Sequence, residues 1–140
     1  MTEPFQLHPQ LGQDCIDIGR FDLCRLLMMN DSTYPWFILV PEKAGLTEIY
    51  QLSKAERSQL TEESCFLAEN LAALYRADKI NIAAIGNLVP QLHIHHIIRY
   101  QTDKAWPAPV WGKFDRVPYT QAQADGQIAR VKACLKDYLR

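Results

Sequence analysis

Gln91-Leu92-His93-Ile94-His95-His96-Ile97-Ile98 holds three of the four histidines in the protein. On a strand, side chains alternate between faces, so Gln91, His93, His95 and Ile97 point one way and Leu92, Ile94, His96 and Ile98 the other. One face is polar and the other belongs to a core. His96 is the exception, a polar residue on the apolar side, and it reads as a hydrogen-bonded core or interface histidine.

Outward from this segment, apolar runs predict three more strands, Phe21 to Met29, Trp36 to Pro41 and Lys79 to Ile85, with the histidine strand spanning Gln91 to Tyr100. Asn30-Asp31-Ser32 separates the first two as a turn, because these side chains bond locally to the backbone as the chain reverses. Gly86-Asn87 separates the last two in the same way. Two hairpins follow, and hence a mostly antiparallel sheet. Ser53 and Glu56 form a capping box ahead of Leu60, Leu67, Leu71 and Leu74, which predicts a helix over Lys54 to Tyr75. Thr120 and Gln123 form a second box before Ile128, Val131, Leu135 and Tyr138, although Gly126 weakens the first turn by about 1 kcal/mol relative to Ala. Helices on one side of an antiparallel sheet make an α+β fold.

The 140 residues, 48% hydrophobic and 22% charged, suit a single domain over residues 1–140 with one core. A formal charge of −1 without a basic stripe argues against a nucleic-acid partner. No apolar run approaches the roughly 18 residues of a membrane span, and residues 1–13 lack the pattern of a signal peptide. Cys15, Cys24, Cys65 and Cys134 are scattered without a CxxC pair, which points to reduced thiols and a cytoplasmic location.

Three chemistries suit His93 and His95 on one face. As metal ligands they would need a third and usually a fourth partner, for which only remote His8 or Asp31 is available. As an imidazole nucleophile, one of them would attack phosphorus near neutral pH. As a polar strand edge, they would have no chemistry at all. The nucleophile reading carries a geometric condition: one ring N–H must be held on a backbone carbonyl so that the other nitrogen offers its lone pair. It also needs that ring to face a cavity that admits the phosphorus-bearing substrate.

The segment Gln91 to Ile97 resembles the signature of the histidine triad (HIT) family, in which three histidines alternate with apolar residues. The hairpin ending in Pro41, the long helix, the strand before Gly86 and the histidine strand also follow HIT order, with the closest likeness to a bacterial branch carrying Gln in the first triad position and a Trp-Pro-x-Pro-Val-Trp-Gly stretch, here Trp106 to Gly112. The resemblance implies a five-stranded HIT-like sheet with one long central helix and a C-terminal helix, a homodimer, and no cofactor or metal. It implies hydrolysis or transfer at the α-phosphate of a nucleoside 5′-phosphate derivative, such as a dinucleoside polyphosphate or a phosphoramidate, through a nucleotidyl-histidine intermediate. The alternative is a catalytically weak nucleotide-binding module.

By position, the resemblance makes His93 the nucleophile, His95 the residue on the phosphate and leaving group, and Gln91 the occupant of the first triad place. It puts Gly86, Asn87, Leu88 and Val89 in the phosphate-contacting loop and Asn30 or Asp31 near the ribose, where a turn alone explains the same residues. Two positions depart from the family pattern: Gln91 is a neutral amide, and Trp36 stands where many relatives have histidine. Arg99, about 20 Å from His93 along the strand, reads as a surface or interface charge. Trp106 and Trp111 read as packing on their own domain or as a cover over the site.

Overall fold

In the computed structural model, which describes residues 3–140, the chain runs α1 (Pro9–Asp14), β1 (Cys15–Arg20), β2 (Cys24–Met29), β3 (Trp36–Pro41), α2 (Lys54–Tyr75), β4 (Lys79–Ala83), β5 (Ile94–Arg99) and α3 (Gln121–Leu135). The five strands form one sheet in the order β1-β2-β3-β5-β4, with every pairing antiparallel. The α+β architecture expected from the sequence is the one observed. Among the described residues, no helix is long and apolar enough to cross a membrane.

The sheet separates two apolar clusters. Phe37 and Leu39 of β3 and Ile94 and Ile98 of β5 face Leu60, Leu67 and Leu71 of α2 and Val131 and Leu135 of α3. On the opposite face, Trp36, Ile38, Val40 and Ile97 pack under Leu11 of α1, Phe5 and Leu7 before it, and Ala105, Val110 and Trp111 after β5. The long helices therefore lie on one side as expected, while short α1 covers the other. His93 and His95 share the second face, so the histidine pair lies beneath a layer of irregular chain rather than beneath the helices.

Both capping boxes form. Ser53 Oγ accepts from Glu56 N at 3.1 Å while the Glu56 carboxylate accepts from Ser53 N at 2.9 Å, and Thr120 and Gln123 repeat the exchange. The second box holds the first turn of α3 helical despite Gly126, which corrects the doubt attached to that glycine. α2 spans the expected residues and ends at Arg76 in the left-handed conformation.

The departures are local. The expected strand over Phe21 to Met29 begins only at Cys24, because Phe21 N bonds back to Cys24 O at 2.7 Å and makes residues 21–23 a turn. The buried Glu63 carboxylate of α2 fixes that turn by accepting from Leu23 N and Cys24 N, each at 2.9 Å. β4 stops at Ala83 and β5 starts at Ile94, with Gly86 in a positive-φ turn between them. Leu92 N bonds to Leu46 O, so the segment just before β5 is tied to the loop after β3 instead of continuing the ladder. β1 is a strand that the apolar runs did not reveal.

Candidate functional site

β5 carries His95 and His96, and the residue just ahead of the strand is His93. His93 Nδ1 lies 2.8 Å from Gln91 O. A carbonyl oxygen only accepts, so Nδ1 bears the proton and Nε2 keeps its lone pair. This is the backbone bond that an imidazole nucleophile requires. The His95 ring is 4.9 Å from that of His93, centroid to centroid, and its tautomer is fixed in the opposite sense. Trp36 Nε1 donates to His95 Nδ1 at 2.9 Å, and since an indole N–H can only donate, His95 carries its proton on Nε2. Among the described residues neither Nε2 has a hydrogen-bond partner. The pair can thus offer one nitrogen lone pair and one N–H donor to a single group.

Burial, followed by the neighbouring His93 and His96, lowers the His95 pKa to about 3, so the ring is neutral across the physiological range. His96 is fully buried on the helical face, as expected of a core histidine. Its Nδ1 donates to Ile94 O at 3.0 Å, and its Nε2 then accepts from the Ser64 hydroxyl at 2.7 Å, which ties β5 to α2. Burial lowers its pKa to about 4.

Aromatic rings enclose the pair. Trp111 meets His95 edge-on at 5.2 Å and Trp36 at 6.0 Å, and its indole nitrogen is buried without a hydrogen-bond partner. Sequence reasoning placed Trp36 at a departure from the pattern and missed its bond to His95; the alternation of β3, which puts Trp36 on the same face as Ile38 and Val40, was the available signal. Thr47 and Glu48 were also missed. With Ala84, Ile85, Gly86 and Leu92 they line a cavity of about 20 Å³ against His93, room for about one water. Only 7% of His93 and 5% of His95 is exposed. This cavity is too small for a mononucleotide, which corrects the expectation of an open site, and its lining joins polar Thr47 and Glu48 to apolar Ala84, Ile85 and Leu92.

The remaining candidates are dispersed. The Gln91 side chain turns to the segment before α1, donating to Gln6 O at 2.9 Å and accepting from His8 N at 2.8 Å, so only its backbone carbonyl serves the histidine pair. Gly86 lines the cavity, Asn87 is exposed, Leu88 is 95% exposed, and Val89 packs against the second cluster. Asn30 and Asp31 lie beyond the Trp36 end of β3, whereas His93 lies off its Leu39 end. Their side-chain oxygens accept from the backbone of the segment before α3, Asn30 from Tyr119 N and Asp31 from Val117 N, with Asp31 also accepting from Thr33 N.

Arg99 corrects the expectation of a surface charge. It is 1% exposed. Its guanidinium donates to both Asp103 carboxylate oxygens, to Asn81 Oδ1 and to Ala108 O, and it lies between the rings of Tyr34 and Trp106. The group organises the chain after β5 that carries Trp111. Among the described residues, no three His, Cys, Asp or Glu side chains stand close enough to hold a metal ion.

The HIT domain family matches residues 11–102. The fold is that of a histidine triad protein from Marinobacter aquaeolei, 48% identical over 97% of this chain and 99% of that one, with a TM-score of 0.94. A histidine triad (HIT) protein from Sinorhizobium meliloti is 40% identical over 94% of this chain and 97% of that one, at a TM-score of 0.91. A hypothetical histidine triad nucleotide-binding protein from Sulfolobus tokodaii, 11% identical over 88% of this chain and 85% of that one at a TM-score of 0.67, shares the fold alone. No curated protein sequence matches the chain. Two-thirds of the chain falls within the matched family region, and the likeness to the two bacterial proteins runs nearly end to end: the chain belongs to the histidine triad family.

Proposed function

We propose that the protein is a nucleotide hydrolase or transferase in which His93 attacks the α-phosphate of a nucleoside 5′-phosphate derivative. One observation carries this reading: two adjacent imidazoles on one sheet face are held in opposite tautomers, His93 with a free Nε2 lone pair and His95 with an Nε2–H donor. The lone pair suits attack on phosphorus and the donor suits a phosphate oxygen, and forming a nucleotidyl-histidine splits one displacement into two easier ones. Positive-φ Gly86, beside the His93 cavity, supports a phosphate-contacting role for the Gly86–Val89 turn through backbone N–H groups. Neither a cofactor nor a metal enters this reading.

The closed site requires the cover over the second face to open for substrate. Incubation with a panel of dinucleoside polyphosphates and nucleoside 5′-phosphate esters should release a nucleoside monophosphate, and intact mass should record a nucleotidyl adduct on the native chain. His93→Ala should abolish both. Unchanged turnover in that variant refutes the role of His93. A second reading, a nucleotide-binding module with little catalysis, is favoured by the small cavity and by the Gln91 amide turned away from the pair. Calorimetric binding of a mononucleotide without turnover would select it.

A homodimer fits the open edge of β4, where Ile82 is 51% exposed and Ile85, just beyond, 45%. An unpaired apolar edge is a template for a second strand. Sedimentation velocity should give twice the chain mass. The four unpaired cysteines suit a cytoplasmic setting.

A further inference from the structure

We infer that Trp36, by locking His95 as its Nε2–H tautomer, restricts the site to α-phosphate substrates whose leaving group departs as a stable oxyanion, the phosphoric anhydrides, and works against phosphoramidates, whose amine must gain a proton as it leaves. The inference rests on the α-phosphate chemistry proposed above and names its substrate class.

The argument starts from what Trp36 cannot do. An indole nitrogen has one proton and no lone pair available for bonding, so it can neither accept a proton from His95 nor pass one to it. Its N–H occupies His95 Nδ1 at 2.9 Å. A second proton on Nδ1 would break that bond and face the indole N–H with another donor. The rings of Trp36, Trp111 and His93 stand around His95 at 5.7, 5.2 and 4.9 Å. Burial further keeps the ring from charging, with a pKa near 3. His95 is therefore a neutral hydrogen-bond donor and has no spare proton to give away.

The two leaving groups differ in what this allows. With an anhydride, the His93 Nε2 lone pair forms the N–P bond, the P–O bond to the bridging oxygen breaks, and its electron pair stays on that oxygen. The departing phosphate needs no proton, and the His95 N–H stabilises the charge that develops on oxygen. Water then attacks the same phosphorus, the N–P electron pair returns to His93 Nε2, and the proton from water passes to solvent. With a phosphoramidate, breaking the P–N bond leaves an amide anion unless a proton arrives. The His93 proton is held on Gln91 O by Nδ1, away from the attacking Nε2, so the pair could supply only the proton on His95 Nε2, and its loss would leave an imidazolate.

The test compares a dinucleoside polyphosphate with a 5′-phosphoramidate of the same nucleoside on the native protein. Positioned general acids are worth 10²–10⁴ in rate, so kcat/KM for the anhydride should exceed that for the phosphoramidate by about 100-fold or more. Nitrogen NMR of histidine-labelled protein should show the His95 proton on Nε2. Trp36→Phe keeps an aromatic ring and removes the donor together with the five-membered ring that bears it, so the Nε2–H preference should weaken and the leaving-group ratio should narrow. Equal cleavage of both substrates by the native protein, or a His95 proton found on Nδ1, overturns the inference while leaving α-phosphate chemistry standing. If neither substrate is cleaved and no nucleotidyl adduct forms on His93, the underlying chemistry fails and the inference falls with it.

Discussion

The Gln91 side-chain amide donates to Gln6 O at 2.9 Å and accepts from His8 N at 2.8 Å, so one side chain satisfies two backbone groups of the segment leading into α1. That segment places Phe5 and Leu7 on the sheet face that holds the histidine pair. Position 91 therefore clasps part of the cover over the site, while its carbonyl independently orients His93.

Because the carbonyl survives any substitution at position 91, Gln91→Ala should separate the two roles. Two backbone hydrogen bonds are lost, worth about 1 kcal/mol each. Exchange of the His8 amide hydrogen should accelerate by about tenfold or more, and the opened cover should lower KM for a nucleotide substrate. A raised KM with unchanged exchange would show that the amide acts on substrate and not on the clasp.

Two buried neutral histidines make stability depend on pH. His95 and His96 have folded pKa values of about 3 and about 4 against an ordinary 6.5. Below pH 6.5 the unfolded chain takes up protons that the folded one refuses, so stability is full above that value and falls as pH drops towards 4. The slope approaches about 1.4 kcal/mol per pH unit for each histidine. Denaturant titrations at pH 7 and pH 5 should show this loss, with a smaller loss in His96→Gln. Equal stability at the two pH values would mean that the rings charge inside the fold.

Much of this was legible in the sequence. The capping residues Ser53 and Thr120 set both long helices, and the alternation from Leu92 to Ile98 separated the His93 and His95 face from that of His96. β1 was missed because Asp17 and Gly19 dilute its apolar content, although Ile16 and Ile18 keep the period of two. Gly19 admits the chain end closely: a Cβ there would stand 2.8 Å from Arg140 O. The partners of Gln91, Arg99, Asn30 and Asp31 were invisible, since each is fixed by tertiary contacts and no local periodicity reports them.

The Ser64 hydroxyl is the link between α2 and His96. Ser64→Ala removes the donor and leaves Nε2 of a fully buried ring without a partner, which costs about 1–3 kcal/mol. Ser64→Thr keeps the hydroxyl and should recover part of that loss. Thermal melts of the two variants check the order, and equal melting of the alanine variant and the native protein would show that the ring finds another donor.

Arg99 and Asp103 form a buried ion pair behind the chain that leads to Trp111. Their side chains are 2% and 5% exposed, and Asp103 additionally accepts from Tyr100 N, Ala105 N and Trp106 N. Removing one member of a buried pair strands the other charge, which costs about 3–5 kcal/mol. Asp103→Ala should therefore destabilise strongly, and its effect should reach the site because the same carboxylate orders the turn that leads to Trp111. Tryptophan fluorescence should report a changed environment before global unfolding. Replacing both partners, as in Arg99→Met with Asp103→Leu, strands no charge and should recover much of the stability while leaving the turn without its backbone anchor. If the double variant is as unstable as the single one, the backbone bonds of Asp103 outweigh its ion pair with Arg99.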